Sequence, residues 1–184
     1  SGQSMSMKKE RSTAEQPLLL FFLLSTAGWL WEVLFVRIST GEAVNRGFLH
    51  GPWLPVYGTG GLLILFLLSR LRGAPLFLLS ALLGGTVEFA ASLLLEYFFH
   101  ARWWDYSRWP LDLDGRVCLG SAAAFGLAGW FLVRLAGPAL AQLFACLPRR
   151  LRVRFCQAFC ILFVLDTAVS LAVPNTGMGI SFPV

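Results

Sequence analysis

Charge is scarce in this chain. Only 14% of its 184 residues are Asp, Glu, Lys or Arg, against about 25% in an average soluble domain. Lysine stops at Lys9, histidine is confined to His50 and His100, and the phosphate-cradling pattern G-x-x-x-x-G-K-[ST] does not occur. Without a P-loop and its lysine the chain cannot hydrolyse ATP by that chemistry. Two histidines are too few for a dedicated metal cluster, and Cys118, Cys146, Cys156 and Cys160 stand in or beside apolar runs with no C-x-x-C pair. No metal and no cofactor is therefore expected. The basic residues do not gather into one stripe, so nucleic acid is not an expected partner.

Apolar surface is what the chain has in excess. Hydrophobic residues make up 57% of it, and the mean hydropathy is +0.67. A soluble core of this size has no use for so much, which excludes a multidomain soluble enzyme, a disordered chain and a secreted disulfide scaffold. Five apolar runs stand out: Pro17–Val36, Pro52–Ser69, Leu76–Phe99, Val117–Leu147 and Phe155–Val173. They predict an all-α integral membrane protein, a compact bundle of about five transmembrane helices in contact with membrane lipids. Residues 17–173 form this single bundle. Residues 1–16 read as a polar lead that opens on a cloning scar, and 174–184 as a short tail. The fourth run is expected to bend or end near Gly137-Pro138, because proline removes a helix hydrogen bond. Pro148–Arg154, with four arginines, separates the last two runs.

Basic residues set the expected orientation. A cytoplasmic N terminus places Lys8, Lys9, Arg11, Arg70, Arg72, Arg134, Arg149, Arg150, Arg152 and Arg154 inside, against Arg37, Arg46, Arg102, Arg108 and Arg116 outside. That imbalance favours N-in, in a multi-pass protein of the cell's inner membrane. Both polar, aromatic-rich connections then face outward.

Four acids interrupt the spans: Glu32, Glu88, Glu96 and Asp166. A charge at bilayer depth costs at least about 2.5–3.5 kcal/mol on insertion scales, so each should face the bundle interior, a cavity or a partner. Glu88, Ser92 and Glu96 recur at i, i+4, i+8, a polar stripe whose two carboxylates lie about 12 Å apart, too far for a dyad. Glu88 is expected to have Arg46 or Arg116 close by, either as a brace or as part of a solute site. The first connection, Asn45–Gly58, is so rich in glycine and proline that a re-entrant or otherwise structured outer loop is expected. Within it His50 reads more readily as a hydrogen-bonded brace than as a proton shuttle. In the second, Trp103, Trp104 and Tyr106 could be an aromatic belt alone, but Arg46, Arg116, Asp105 and Glu96 converge on the same side, where guanidinium and carboxylate pair.

Those loops carry a resemblance. The run NRGFLHGPWLPVYGTGG at Asn45–Gly61, the helix bearing Glu88 and Glu96, RWWDYS at Arg102–Ser107 and LDGRVC at Leu113–Cys118 together resemble the bacterial type IV, or CmpB-like, ABC-transporter permeases. The resemblance spans roughly Phe21 to Leu135. It implies an inner-membrane transport protein and singles out Glu88, Glu96, Asn45, Arg46, Gly47, Pro52, Tyr57, Gly58, Trp104, Asp105, Tyr106, Gly115 and Arg116. From these, Glu88, Glu96, Asn45, Arg46, Tyr57, Trp104, Asp105, Tyr106 and Arg116 are the expected ligand-binding residues. They would form a polar, aromatic-lined site for a small-molecule solute on the outer side of the bundle. A separate ATPase subunit would then be a partner, and a homo-oligomer is compatible with the glycines Gly120, Gly126 and Gly129 of the fourth run as a packing face. Two other readings stay open: a membrane-embedded enzyme acting on a lipid-linked substrate, with Glu88 or Asp105 as base and His50 as its partner, and a structural or regulatory membrane subunit. No EAA-type coupling loop of importer permeases is present.

Overall fold

The computed structural model describes residues 14–177. Lys8, Lys9 and Arg11, most of the polar lead and the tail beyond Gly177 lie outside the described residues. Five apolar helices carry the fold: α1 (Glu15–Thr40), α2 (Pro55–Leu68), α3 (Gly73–Phe99), α4 (Leu119–Cys146) and α5 (Arg149–Ala172). Four of them are long and apolar enough to cross a membrane. The exception is α2, whose 14 residues span about 21 Å at 1.5 Å per residue, less than a hydrocarbon core of about 30 Å.

Successive helices run in opposite directions. The two long connections, 41–54 and 100–118, therefore lie at one end of the bundle (the loop end), and the two tight ones at the other (the turn end). Local chemistry sets the boundaries. α1 stops where Gly41 turns left-handed (φ 79°) and donates its N–H to the Arg37 carbonyl, a conformation glycine takes without steric cost. Pro55 opens α2, where its missing N–H costs nothing. α4 starts on a reciprocal cap in which Cys118 Sγ accepts from the Ser121 N–H, while Ser121 Oγ accepts from the Cys118 N–H.

Two expected boundaries are refined. The fourth run does not end at Gly137-Pro138; its irregularity there is a π-helical turn, Leu132–Ala136, that precedes the proline and keeps α4 continuous. Gly137 closes it by donating to the Leu132 carbonyl, an i to i−5 bond of the kind that absorbs a helix irregularity. The second is Pro148–Arg154, where all four arginines belong to the first turns of α5. Arg152 folds back, 2% exposed, and donates from Nη1 to the carbonyls of Phe144 (2.9 Å) and Leu147 (3.2 Å). A cation thus caps the C-terminal end of α4, where orphan carbonyls attract positive charge.

Small residues let the helices approach. Gly58 lies against Phe21 and Ser25 of α1, Gly28 against Tyr57, and Gly84 against Phe125. Gly126 and Gly129 of α4 are covered from within the chain, by Phe77 and Ser80 of α3, whereas a Cβ at Gly120 would meet only Cys118 Sγ at 3.8 Å. Because α2 is short, its first turn starts below the loop end, and Asn45–Leu54 folds into the space above it. Leu49, Trp53 and Leu54 are buried there, Trp53 against Phe22 of α1 and Phe163 of α5 with ring centroids 6.1 and 5.7 Å apart. The Leu54 N–H donates to the Ser25 carbonyl at 2.9 Å. The first connection is thus a structured loop integral to the bundle.

Candidate functional site

Three polar clusters occupy the loop end. The first is built around Asp166 of α5, which the deep run of apolar residues presents to the first loop. One carboxylate oxygen accepts from the His50 N–H (3.0 Å) and the Ser170 hydroxyl (3.1 Å), and the other from the Gly51 N–H (2.8 Å) and Trp53 Nε1 (2.7 Å). Four donors satisfy it. His50 Nδ1 lies 2.9 Å from Ser170 Oγ, so the imidazole braces the same cluster and stands apart from Glu88. Asn45, on the rim, accepts from Trp29 Nε1 at 2.8 Å and donates to the His50 carbonyl at 2.7 Å.

The second cluster is an ion-pair network. Arg116, 4% exposed, donates from Nη2 to Glu96, from Nε to Asp114 (2.8 Å) and from Nη1 to Ser92 (3.1 Å). Arg102 joins it through Glu96 (3.0 Å) and the Asp114 carbonyl (2.7 Å). The Arg116 hydrogen bond, with the charge of Arg102 beside it, holds the Asp114 carboxyl below the usual aspartate range. This network clamps the second loop onto α3. Trp104 Nε1 donates to the Arg116 carbonyl (2.9 Å), Asp105 accepts the Ser107 N–H (2.9 Å), and the Tyr106 N–H donates to the Gly115 carbonyl (2.7 Å). Gly115 is left-handed (φ 65°), with Asp105 so near that a Cβ would not fit. Trp104 and Asp105 thus shape the turn that aims Tyr106 inward.

The third cluster lies where α1, α2, α3 and the second loop meet. Tyr106 donates its hydroxyl to Glu88 Oε1 at 2.9 Å, and Tyr57 donates to Glu32 Oε1 at 3.0 Å. Arg46 Nε reaches Glu32 Oε2 at 3.4 Å. Phe125 of α4 stacks on Tyr57, centroids 5.7 Å apart. Glu88 is 7% exposed, and its Oε2 is buried with no hydrogen-bond donor. The Ser121 hydroxyl lies within hydrogen-bonding reach of the Glu88 carboxyl as well as of the Cys118 carbonyl, at 3.1 Å. Burial, with the Glu88 carboxylate next to it, pushes the Tyr106 phenol above the ordinary tyrosine range.

Of the nine expected ligand-binding residues, Glu88, Tyr106, Tyr57 and Arg46 come together here, the last two through Glu32. Glu96 and Arg116 belong to the neighbouring network, and Asn45, Trp104 and Asp105 shape the loops. The arginine expected near Glu88 is elsewhere: Arg46 pairs with Glu32, Arg116 with Glu96 and Asp114. The cause is reach, since Arg116 leaves the loop beside Ser92 and Glu96, one to two turns above Glu88. Sequence reading missed Arg102 and Asp114 as network members, and Asn175. The Asn175 side chain donates to the carbonyls of Asn45 and Gly47 (both 3.0 Å), and its own carbonyl accepts from Trp103 Nε1 (3.0 Å). Nothing in the local sequence marks it.

No curated protein and no solved structure matches the chain. A family model does, over residues 19–171, beyond both ends of the stretch that the loop motifs suggested. The chain, a multi-pass bundle of apolar helices, belongs to the family described as "Putative ABC-transporter type IV".

Proposed function

We propose that this chain is the membrane-embedded permease subunit of a transporter, with a small-solute site at Glu88, Tyr106, Tyr57 and Glu32. The observation that supports it is the second oxygen of Glu88, buried at the loop end without a donor. The other buried polar clusters there close on themselves. A buried group left open carries a desolvation cost of about 1–3 kcal/mol, which a bound solute would offset. Family membership supports the transport role, and an ATPase, if the cycle uses ATP, lies outside these residues, which hold no P-loop. The enzyme reading loses its dyad, because His50 sits with Asp166 and Ser170 and not with Glu88.

The test is native mass spectrometry of the protein in lipid nanodiscs. Wild type should retain a small-molecule adduct that Glu88→Gln loses while remaining folded and monodisperse. If both forms carry the same adducts, or Glu88→Gln only lowers thermal stability, Glu88 is a brace and the site reading fails.

We further propose that the loop end faces outward from an inner membrane. Arg70, Arg72, Arg149, Arg150, Arg152 and Arg154 stand at the turn end, and Lys8, Lys9 and Arg11 precede α1 in the sequence, against Arg37, Arg46, Arg102, Arg108 and Arg116 at the loop end. The side richer in Lys and Arg is the cytoplasmic one. A cysteine placed at Asp112 in a cysteine-free background should react with an impermeant maleimide in intact cells; reaction only after permeabilisation reverses the orientation.

A further inference from the structure

Resting on that reading of the site, we propose that its solute is a small organic cation, a protonated amine that donates N–H groups to Glu88 and lies against the Tyr106 ring. The argument is one of charge and donors at the loop end. Glu32 has Arg46, and Glu96 and Asp114 share Arg102 and Arg116. Asp166 receives two backbone N–H groups, an indole N–H and a hydroxyl. Glu88 has only neutral hydroxyl partners, Tyr106 and Ser121, and forms no ion pair among the described residues.

A carboxylate at that depth either takes up a proton or acquires a counter-charge. An anionic solute would add negative charge beside Glu88, with Glu32 close enough to be felt as well. A neutral solute would bring a donor and no charge. An ammonium supplies both the missing donor and the missing charge. Both tyrosine hydroxyls are already given to carboxylates, and the Tyr57 ring is covered by Phe125 and Gly28, so the aromatic surface left to attract a cation is the Tyr106 ring. Gly85 is buried on the same face of α3, three residues before Glu88, and a Cβ there would touch only Val117, at 3.5 Å. Among the described residues no three His, Cys, Asp or Glu side chains gather as metal ligands, so the chemistry points to an organic cation.

The experiment uses three probes of one size, propylammonium, 1-propanol and propanoate, and reads thermal unfolding of the full chain in nanodiscs. Propylammonium should raise the midpoint of wild type, and the other two should not. In Glu88→Gln its apparent affinity should fall about tenfold or more; in Glu42→Gln, an exposed carboxylate at the same end, it should not change. A Glu88-dependent response to propanoate or propanol overturns the cationic assignment and leaves the solute site standing. A propylammonium response that survives Glu88→Gln overturns both. Silence from all three probes overturns the cationic assignment, and the adduct comparison then decides the site alone. Should Glu88→Gln fail to fold, the ranking of the three probes on wild type still tests the assignment.

Discussion

Glu32, Glu88, Glu96 and Asp166 are four carboxylates in four similar apolar settings, and what separates them is who donates. Two pair with arginines, one is filled by main-chain and side-chain N–H groups and a hydroxyl, and Glu88 is held by hydroxyls alone, the Tyr106 phenol and Ser121. The phenol carries a prediction at this scale. Tyr106 has its proton held more tightly in the folded protein than the ordinary value of about 10, through burial and the adjacent Glu88 charge. Its contribution to stability is therefore complete below pH about 10 and is lost as pH rises from there toward the folded value, because the unfolded chain releases the proton first. Thermal midpoints measured from neutral to alkaline pH should fall above pH about 10, and the fall should be shallower in Tyr106→Phe. An identical slope in the variant would show that the phenol is not held by Glu88.

Helices were the legible elements. Long apolar runs mark α1, α3, α4 and α5 by hydropathy alone, because a bilayer demands about 20 apolar residues whatever the tertiary structure. α2 was legible as apolar but not as short, since Pro52–Leu54 is as apolar as the helix it precedes and only its packing against Ser25, Phe22 and Phe163 assigns it to the loop. The π turn in α4 was half legible: Gly137-Pro138 announced an irregularity, and the surrounding bundle decided that it would be absorbed. The first loop, as an element, rests on Asp166. Its amides at His50, Gly51, Trp53 and Leu54 all have acceptors, so hydrogen exchange there should be slow. Asp166→Asn replaces an acceptor-only group by one that has a single acceptor oxygen. Exchange at His50 and Gly51 should accelerate while the interior of α3 keeps its protection, and unchanged rates at those two amides would remove Asp166 as the anchor.

Over the whole molecule, the candidate site is assembled by parts distant in sequence, which is why its membership could be guessed and its pairing could not. Arg46 and Arg116 both lie at the loop end with acids in reach, and the register of the second loop, set by Gly115, Asp105 and the Leu113–Val117 bridge, decides that Arg116 meets Glu96 and Asp114 and not Glu88. Asn175 then joins what the helices leave separate: its side chain holds the first loop at Asn45 and Gly47, its N–H donates to the Phe48 carbonyl at 3.0 Å, and its carbonyl receives the second loop through Trp103. Both loops therefore share one strap, and their stabilities should be coupled. Asn175→Ala should cost about 0.5–1.5 kcal/mol per hydrogen bond lost to Asn45 and Gly47, and, although the bond from Trp103 to the main-chain carbonyl remains, Trp103→Phe should cost less once the strap is loosened. A double-mutant cycle read by thermal unfolding should give a coupling of about 0.5 kcal/mol or more. Strict additivity would mean that the tail binds each loop independently, and that the loop carrying Arg46 can move without the loop carrying Tyr106.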